Sequence, residues 1–235
     1  MRQLNYQEVR QSIVKNIKNY VGDKNVFIGI SGGIDSAVTA SLCVKALGPK
    51  KVFGLMLPYG RQSDINDSKL VIEFLKIKPT EIDIKPLVDN FNFQENKFVN
   101  ANIMSRVRMI LLYAHANLHN GLVVGTTNKS EFEIGYFTKH GDGGCDLEPI
   151  ANLYKTEIFE FAKFLKIPDS IINKKPSAGL WDGQSDEGEL GFSYQELDNF
   201  LQGRKTKNLK LKKKIKTLII NSEHKRYLPP IISIK

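Results

Sequence analysis

The chain has 235 residues, 41% of them hydrophobic and 25% charged, a composition that fits one well-cored α/β domain and excludes a low-complexity or bilayer-spanning chain. Cys43 and Cys145 are its only cysteines, too few for a disulfide framework and without metal-ligand spacing, so a reducing cytoplasm is the simplest setting. The net charge of +9 is local: residues 203–235 carry eleven Lys/Arg against one acidic residue, and the rest of the chain sums to −1.

Residues 3–22 hold Val9, Ile13, Ile17, Tyr20 and Val21 at helical spacing, which predicts an amphipathic helix and not a secretory leader. Residues 26–28, Val-Phe-Ile, read as a strand; residues 37–47, small and apolar, read as a helix. Residues 51–57 give a second strand that stops at Pro58-Tyr59-Gly60. Ser63 is placed to cap a helix over 64–76 that buries Leu70, Val71, Phe74 and Leu75. Residues 81–87 alternate and predict a weaker third strand. Residues 91–118 predict one or two helices with Ile103, Val107, Ile110, Leu111 and Ala114 at core spacing, and 121–125 a short apolar strand. A Gly-rich loop at 141–144 and a helix over 152–165, stopped before Pro168, follow. Near the C-terminus, Leu211, Ile215, Leu218 and Ile219 keep an apolar stripe. The intervening lysines are its solvated face, and a nucleic-acid surface is not needed to explain them.

Strands alternating with helices predict an open, mostly parallel, doubly wound sheet of Rossmann-like form, flanked by helices and forming a single domain over 1–235. Ligands in such sheets bind beyond the carboxyl ends of the strands, so Ser31, Pro58 and Thr126 are expected to face one crevice. The stretch between the first strand and its helix is Gly29-Ile30-Ser31-Gly32-Gly33-Ile34-Asp35-Ser36. Glycines let backbone N–H groups close around an anion, and a helix N-terminus adds partial positive charge. Ser31 and Ser36 can donate to phosphate oxygens. Asp35 cannot attract phosphate and implies a bridging cation, most simply Mg²⁺. The Gly-Lys-Ser/Thr ending of a Walker A loop is absent.

This stretch resembles the pyrophosphate loop of the ATP-pyrophosphatase superfamily, whose members cleave ATP to AMP and pyrophosphate on an adenine nucleotide alpha hydrolase-like sheet. Further segments resemble the ammonia-dependent NAD synthetase family. Gly125-Thr126-Thr127-Asn128-Lys129-Ser130-Glu131 is similar to its Gly-Thr-x-x-x-x-Glu motif, which implies Thr126 on ATP and Glu131 on the metal with Asp35; read alone, Glu131 is an acid in a helix's first turn. Asn102-Ile103-Met104-Ser105-Arg106-Val107-Arg108 matches Asn-x-x-x-Arg-x-Arg and implies Arg106 on deamido-NAD, with Arg108 structural. Lys139-His140-Gly141-Asp142-Gly143-Gly144-Cys145-Asp146, the most discriminating match, implies Lys139 and Asp146 on the same substrate. The resemblance further implies Lys155 and Ser177 on ATP, and His224 with Lys225 on deamido-NAD. The segment Gln184-Ser185-Asp186-Glu187 also matches, without an assigned role, and Ser193 with Glu196 reads as a capping box.

The resemblance implies amidation of deamido-NAD by ammonia to NAD, the last step of NAD biosynthesis. The substrate carboxylate would be adenylated, releasing pyrophosphate and then AMP. It also implies Mg²⁺, ATP as co-substrate and a homodimer, with neither nucleic acid nor membrane as partner. No covalent nucleophile is called for, and the group that takes a proton from ammonium is left open, with Asp142 a candidate. The rivals are another ATP-pyrophosphatase, which would share residues 29–36 but not 137–146, and a nucleic-acid-binding module using the C-terminal lysines.

Overall fold

Val26 and Ile28 turn to one side of the first strand and Phe27 to the other, and all three are fully buried. A strand covered on both faces needs a continuous apolar run, which is what residues 26–28 supply. The computed structural model describes residues 2–60, 65–177, 179–181 and 183–234; Ser63, Ala178 and Asp182 therefore lie outside the described residues. The chain runs α1 (Tyr6–Val21), β1 (Asn25–Gly29), α2 (Ile34–Leu47), β2 (Val52–Met56), α3 (Ile65–Leu75), β3 (Lys78–Glu81), α4 (Lys85–Asp89), α5 (Lys97–Leu118) and β4 (Gly121–Val124). It continues through α6 (Lys129–Ile134), α7 (Lys155–Leu165), α8 (Asp169–Ile172), α9 (Asp186–Leu190), α10 (Tyr194–Leu201) and α11 (Leu209–Asn221).

The strands pair in the order β3-β2-β1-β4, all parallel. Strand order reverses between β1 and β4, so the doubly wound reading holds and the crevice falls where expected. One face of the sheet is covered by a core containing Ile17, Val38, Leu42, Val71 and Phe161, from α1, α2, α3 and α7. The other face is covered by Val88, Met104 and Val107 of α4 and α5, against Phe27, Leu55 and Val123. A third cluster, with Ile134, Leu190, Leu197 and Ile215, joins α6, α9, α10 and α11. On α11 Ile215 faces this cluster while Lys210, Lys212, Lys213, Lys214 and Lys216 are exposed, as the periodicity implied. Among the described residues no helix is long and apolar enough to cross a membrane.

Three sequence expectations are corrected. The third strand lies at Lys78–Glu81, and residues 85–89 are helical, because Pro86 sits in a first helical turn where its missing N–H costs nothing. On α3 Phe74 is exposed and Ile72 is buried in its place. On α5 the buried face runs through Ala101, Met104, Ser105 and Val107, whereas Ile110 and Ala114 face outward. That helix is apolar on two sides, so its spacing alone did not say which side the sheet would take.

Gly54 lies at the centre of β2, where a Cβ would come within 2.3 Å of Ile72 Cδ1 and 3.0 Å of both Ile30 Cγ1 and Ile77 Cδ1. Gly54→Ala is expected to destabilise the fold by roughly 1–3 kcal/mol through overpacking. Urea unfolding monitored by circular dichroism measures this, and an unchanged midpoint would mean that the α3 face yields freely.

Candidate active site

Residues 29–36 leave β1 and enter α2 at the switch point. Gly32 adopts φ +74°, which an L-residue with Cβ rarely tolerates, and Gly33 is the N-cap. No side chain caps α2. Its N-terminus therefore opens onto the cavity with backbone donors free of a side-chain cap, an arrangement that can receive an anion, while Asp35 stands in its first turn. Ser31 Oγ lies 3.3 Å from Ser36 Oγ and accepts from the Gly33 N–H at 3.3 Å, while Ser36 Oγ donates to the Gly33 carbonyl at 2.9 Å. The two hydroxyls thus hold the turn in shape. The cavity, of about 450 Å³, is lined by Ser31, Pro58 and Thr126, the strand ends expected to share a crevice. Ser177 and Lys225 also line it.

Beside this loop sits a charged cluster. The Lys155 ammonium, in the first turn of α7, is 2.5 Å from Asp35 Oδ2 and 3.2 Å from Glu131 Oε1. Lys155 is 2% exposed, so it is a buried cation and not the surface lysine it resembles in isolation. Burial by itself would lower its pKa, but Asp35 and Glu131 outweigh that and hold it protonated, above the ordinary lysine range. Glu131 is pushed up to about 7 by burial, against the pull of Lys155. Asn128 Nδ2 donates to Asp35 Oδ1 at 3.1 Å, and Tyr194 OH, with one proton to donate, lies between Asp186 Oδ2 at 2.9 Å and Glu131 Oε1 at 3.2 Å. The other Asp186 oxygen, Oδ1, is buried without a hydrogen-bond partner in a residue that lines the cavity.

Oxygen atoms of Asp35 and Glu131 therefore converge on one cationic point at the edge of the phosphate loop. Hard carboxylate donors of this kind fit Mg²⁺, which is held by one or two carboxylates together with substrate phosphates. The orphaned Asp186 oxygen adds negative potential there. Among the described residues no group of three or more His, Cys, Asp or Glu forms a self-contained metal site, so such an ion would need the phosphates as ligands.

Asn128, Asp186 and Tyr194 were not singled out from sequence. Asn128 is also the N-cap of α6: its Oδ1 accepts from Glu131 N at 3.1 Å. Asp186 stood in a matched segment without a role. Tyr194 follows the capping Ser193, and nothing local marks it.

The other residues proposed for the second substrate form a separate group. Arg106, exposed on α5, donates to the Lys139 carbonyl at 3.3 Å, and Lys139 Nζ donates to the His224 carbonyl at 2.6 Å. Lys225 Nζ donates to the carbonyls of Gly135 and Phe137, 2.7 Å each, at the end of α6. Asp146 does not reach the cavity; it accepts from Val123 N at 2.8 Å and Tyr113 OH at 3.1 Å, tying the Gly-rich stretch to β4. That stretch is wound into consecutive turns, with Gly141 N donating to Thr138 O and Gly144 N to Gly141 O, both at 2.9 Å. A Cβ on Gly141 would come within 2.9 Å of Ser105 and Thr138, so the close docking on α5 requires glycine. Asp142, on the cavity wall, accepts from Thr138 N at 2.9 Å. Arg108 lines the cavity and donates to the Leu57 carbonyl at 2.9 Å; burial pushes it down to about 10.

Glu148 lies behind the cavity wall, accepting from Thr127 N at 3.1 Å and Cys145 Sγ at 3.4 Å. Burial pushes its carboxyl up to about 7. The unfolded chain, with an ordinary glutamate pKa, then releases this proton first as pH rises, so stability falls between about pH 4.5 and 7 and is lowest above pH 7. Glu148→Gln is expected to remove a loss on the order of 3 kcal/mol at pH 8 and to change little at pH 4.5. Thermal unfolding at the two pH values tests this; equal shifts at both would deny the buried titration.

The glycine loop at the switch point and the buried lysine between two carboxylates define an α/β protein with an anion-receiving site beside a charged cluster. The chain belongs to the NAD synthase family, whose model matches residues 6–229. It is 50% identical to the NH(3)-dependent NAD(+) synthetase of Pyrococcus horikoshii, over 97% of this chain and 95% of that one. Among solved structures it resembles NMN synthetase from Francisella tularensis, with a TM-score of 0.93 and 38% identity, covering 99% of this chain and 100% of that one. It also resembles the NH3-dependent NAD synthetase of Campylobacter jejuni, solved with nitrate, with a TM-score of 0.81 and 30% identity over 98% and 100%.

Proposed function

We propose that this chain is a carbon–nitrogen ligase that amidates deamido-NAD with ammonia to give NAD, with ATP as co-substrate. The observation that carries the reading is the buried Lys155 ammonium held by Asp35 and Glu131 beside the open N-terminus of α2. A carboxylate is a poor acceptor for an amine because it would have to expel oxide. Attack of a carboxylate oxygen on the ATP α-phosphorus breaks the bond to pyrophosphate and forms an acyl-adenylate; ammonia then attacks the carbonyl carbon and AMP leaves. The enzyme's task is positioning and charge neutralisation.

In this reading Gly29, Ile30, Ser31, Gly32, Gly33, Ile34 and Ser36 receive the phosphates with Thr126 and Ser177, and Lys155 shares the charge of the leaving pyrophosphate. Asp35 and Glu131 would hold Mg²⁺, which when bound neutralises phosphate charge. Arg106, Lys139, His224 and Lys225 serve the dinucleotide, and Asp146 contributes through the Gly-rich stretch that it ties to β4. Asp142, which lines the cavity, is the candidate for taking a proton from ammonium. The residues act as one domain over 1–235 in the cytoplasm, without nucleic acid or membrane as partner. A homodimer is supported by apolar side chains that α5 leaves exposed, Ile110 at 58% and Leu118 at 76%.

A second reading takes the mononucleotide carboxylate that would yield NMN as the acceptor, favoured by the TM-score of 0.93 to an NMN synthetase. Pyrophosphate release from MgATP and ammonium, measured against deamido-NAD, nicotinate mononucleotide, XMP and RNA, tests both. Release with deamido-NAD is expected. A preference for the mononucleotide would establish the second reading, and release only with XMP or RNA would overturn both.

A further inference from the structure

Asp198 of α10 lies outside the cavity, is fully buried, and is not needed to explain any contact with ATP. Its neighbours are nevertheless those of the charged cluster. Asp198 Oδ1 accepts from Ser130 Oγ, and Asp198 Oδ2 accepts from Thr156 N at 2.9 Å. Ser130 Oγ in turn accepts from Lys155 N at 2.8 Å. One carboxylate on α10, with one hydroxyl on α6, therefore satisfies the first two backbone donors of α7.

The reason lies in the local sequence. Tyr154 occupies the N-cap of α7, and its ring offers no short oxygen to the orphan N–H groups that Ser, Thr, Asp or Asn would satisfy. The cap is supplied instead from two other helices, and its negative charge suits a helix N-terminus. The consequence is positional. Ser130 precedes Glu131 on α6, and Lys155 and Thr156 open α7, so the Asp198–Ser130 pair joins the two helices at the residues whose side chains meet beside Asp35. We infer that Asp198 is a positioning residue: as a remote N-cap it fixes Lys155 and Glu131 in register with each other and with the phosphate loop, and so sets affinity for MgATP. This rests on the reading of Lys155 as an ATP-site residue.

Groups that orient a first ligand typically cost ten- to a hundredfold in affinity or activity when removed. Asp198→Ala and Ser130→Ala are each expected to raise KM for ATP by roughly tenfold or more, while KM for the nicotinate substrate stays within about twofold. Calorimetric titration with MgATP alone should show the same weakening. Asp198→Asn keeps the shape and one acceptor, so a smaller shift in the same direction is expected if the alanine variant fails to fold. Ser193→Ala serves as the stability control. It removes the cap of α10, where Ser193 Oγ accepts from Glu196 N at 3.2 Å, without touching α6 or α7, and should leave both KM values unchanged. If the Asp198 and Ser130 variants match Ser193→Ala in KM for ATP while Lys155→Ala weakens ATP, the positioning role is refuted and the site reading survives. If Lys155→Ala also leaves KM for ATP unmoved, the site reading falls and this inference with it.

Discussion

Replacing Lys155 by methionine is expected to lower kcat/KM for pyrophosphate release by roughly a hundred- to a thousandfold, the usual effect of losing one preorganised charge at a reacting phosphate or oxyanion. The stem of the side chain is kept, so packing changes little, but Asp35 and Glu131 are left facing each other without a cation. Removing one partner of a buried ion pair costs roughly 3–5 kcal/mol when the remaining charge is sealed from water. Asp35 and Glu131 side chains keep 17% and 14% exposure, so the lower end of that range is expected here. The two carboxylates then gain most from any added cation. Mg²⁺ should therefore raise the melting temperature of Lys155→Met more than that of the unaltered chain. A variant that keeps its activity, or that gains nothing from Mg²⁺, would mean that the two carboxylates do not share a cationic point.

Asp35→Asn is expected to reduce turnover by at least about a hundredfold at limiting Mg²⁺, with partial recovery as the ion is raised. The amide has the carboxylate's shape but one acceptor where there were two. If its oxygen stays with Asn128 Nδ2, its NH₂ group faces the Lys155 ammonium, donor against donor. If it flips, Asn128 meets the clash instead. The expected loss of stability is smaller, about 1–3 kcal/mol for one imperfectly paired polar group, and a denaturation curve separates it from the loss of turnover. Near-normal turnover at limiting Mg²⁺ would argue against Asp35 as a metal-site residue.

Much of the fold is legible along the chain. Residues 26–28 had to be a strand covered on both faces, and the glycines after them had to turn sharply before an apolar helix. The order of strands and helices then left a parallel sheet with a crevice at its switch point, and Ser31, Pro58 and Thr126 do line one cavity. At two places local patterns compete. Residues 81–87 alternate like a strand, but Pro86 opens a helix more cheaply than it joins a ladder. On α5, Ile110 fits a core stripe as well as Met104 does, and only the position of the sheet chose between them.

The site divides in the same way. The sequence marks Asp35 by its place in the phosphate loop, and Glu131 and Lys155 only through the family resemblance. It did not say that a lysine 120 positions after Asp35 would be buried against it, because charge pairing depends on which helices pack together and not on distance along the chain. Nor did it reveal Tyr194, Asp186 or Asp198, whose partners are set by the packing of α9 and α10 against α6 and α7. By itself the sequence determined the layers, the phosphate loop and the chemical types at hand, since these follow from short-range periodicity and backbone freedom. The tertiary structure decided the pairings, since a carboxylate's partner and its exposure to water exist only once distant helices have met.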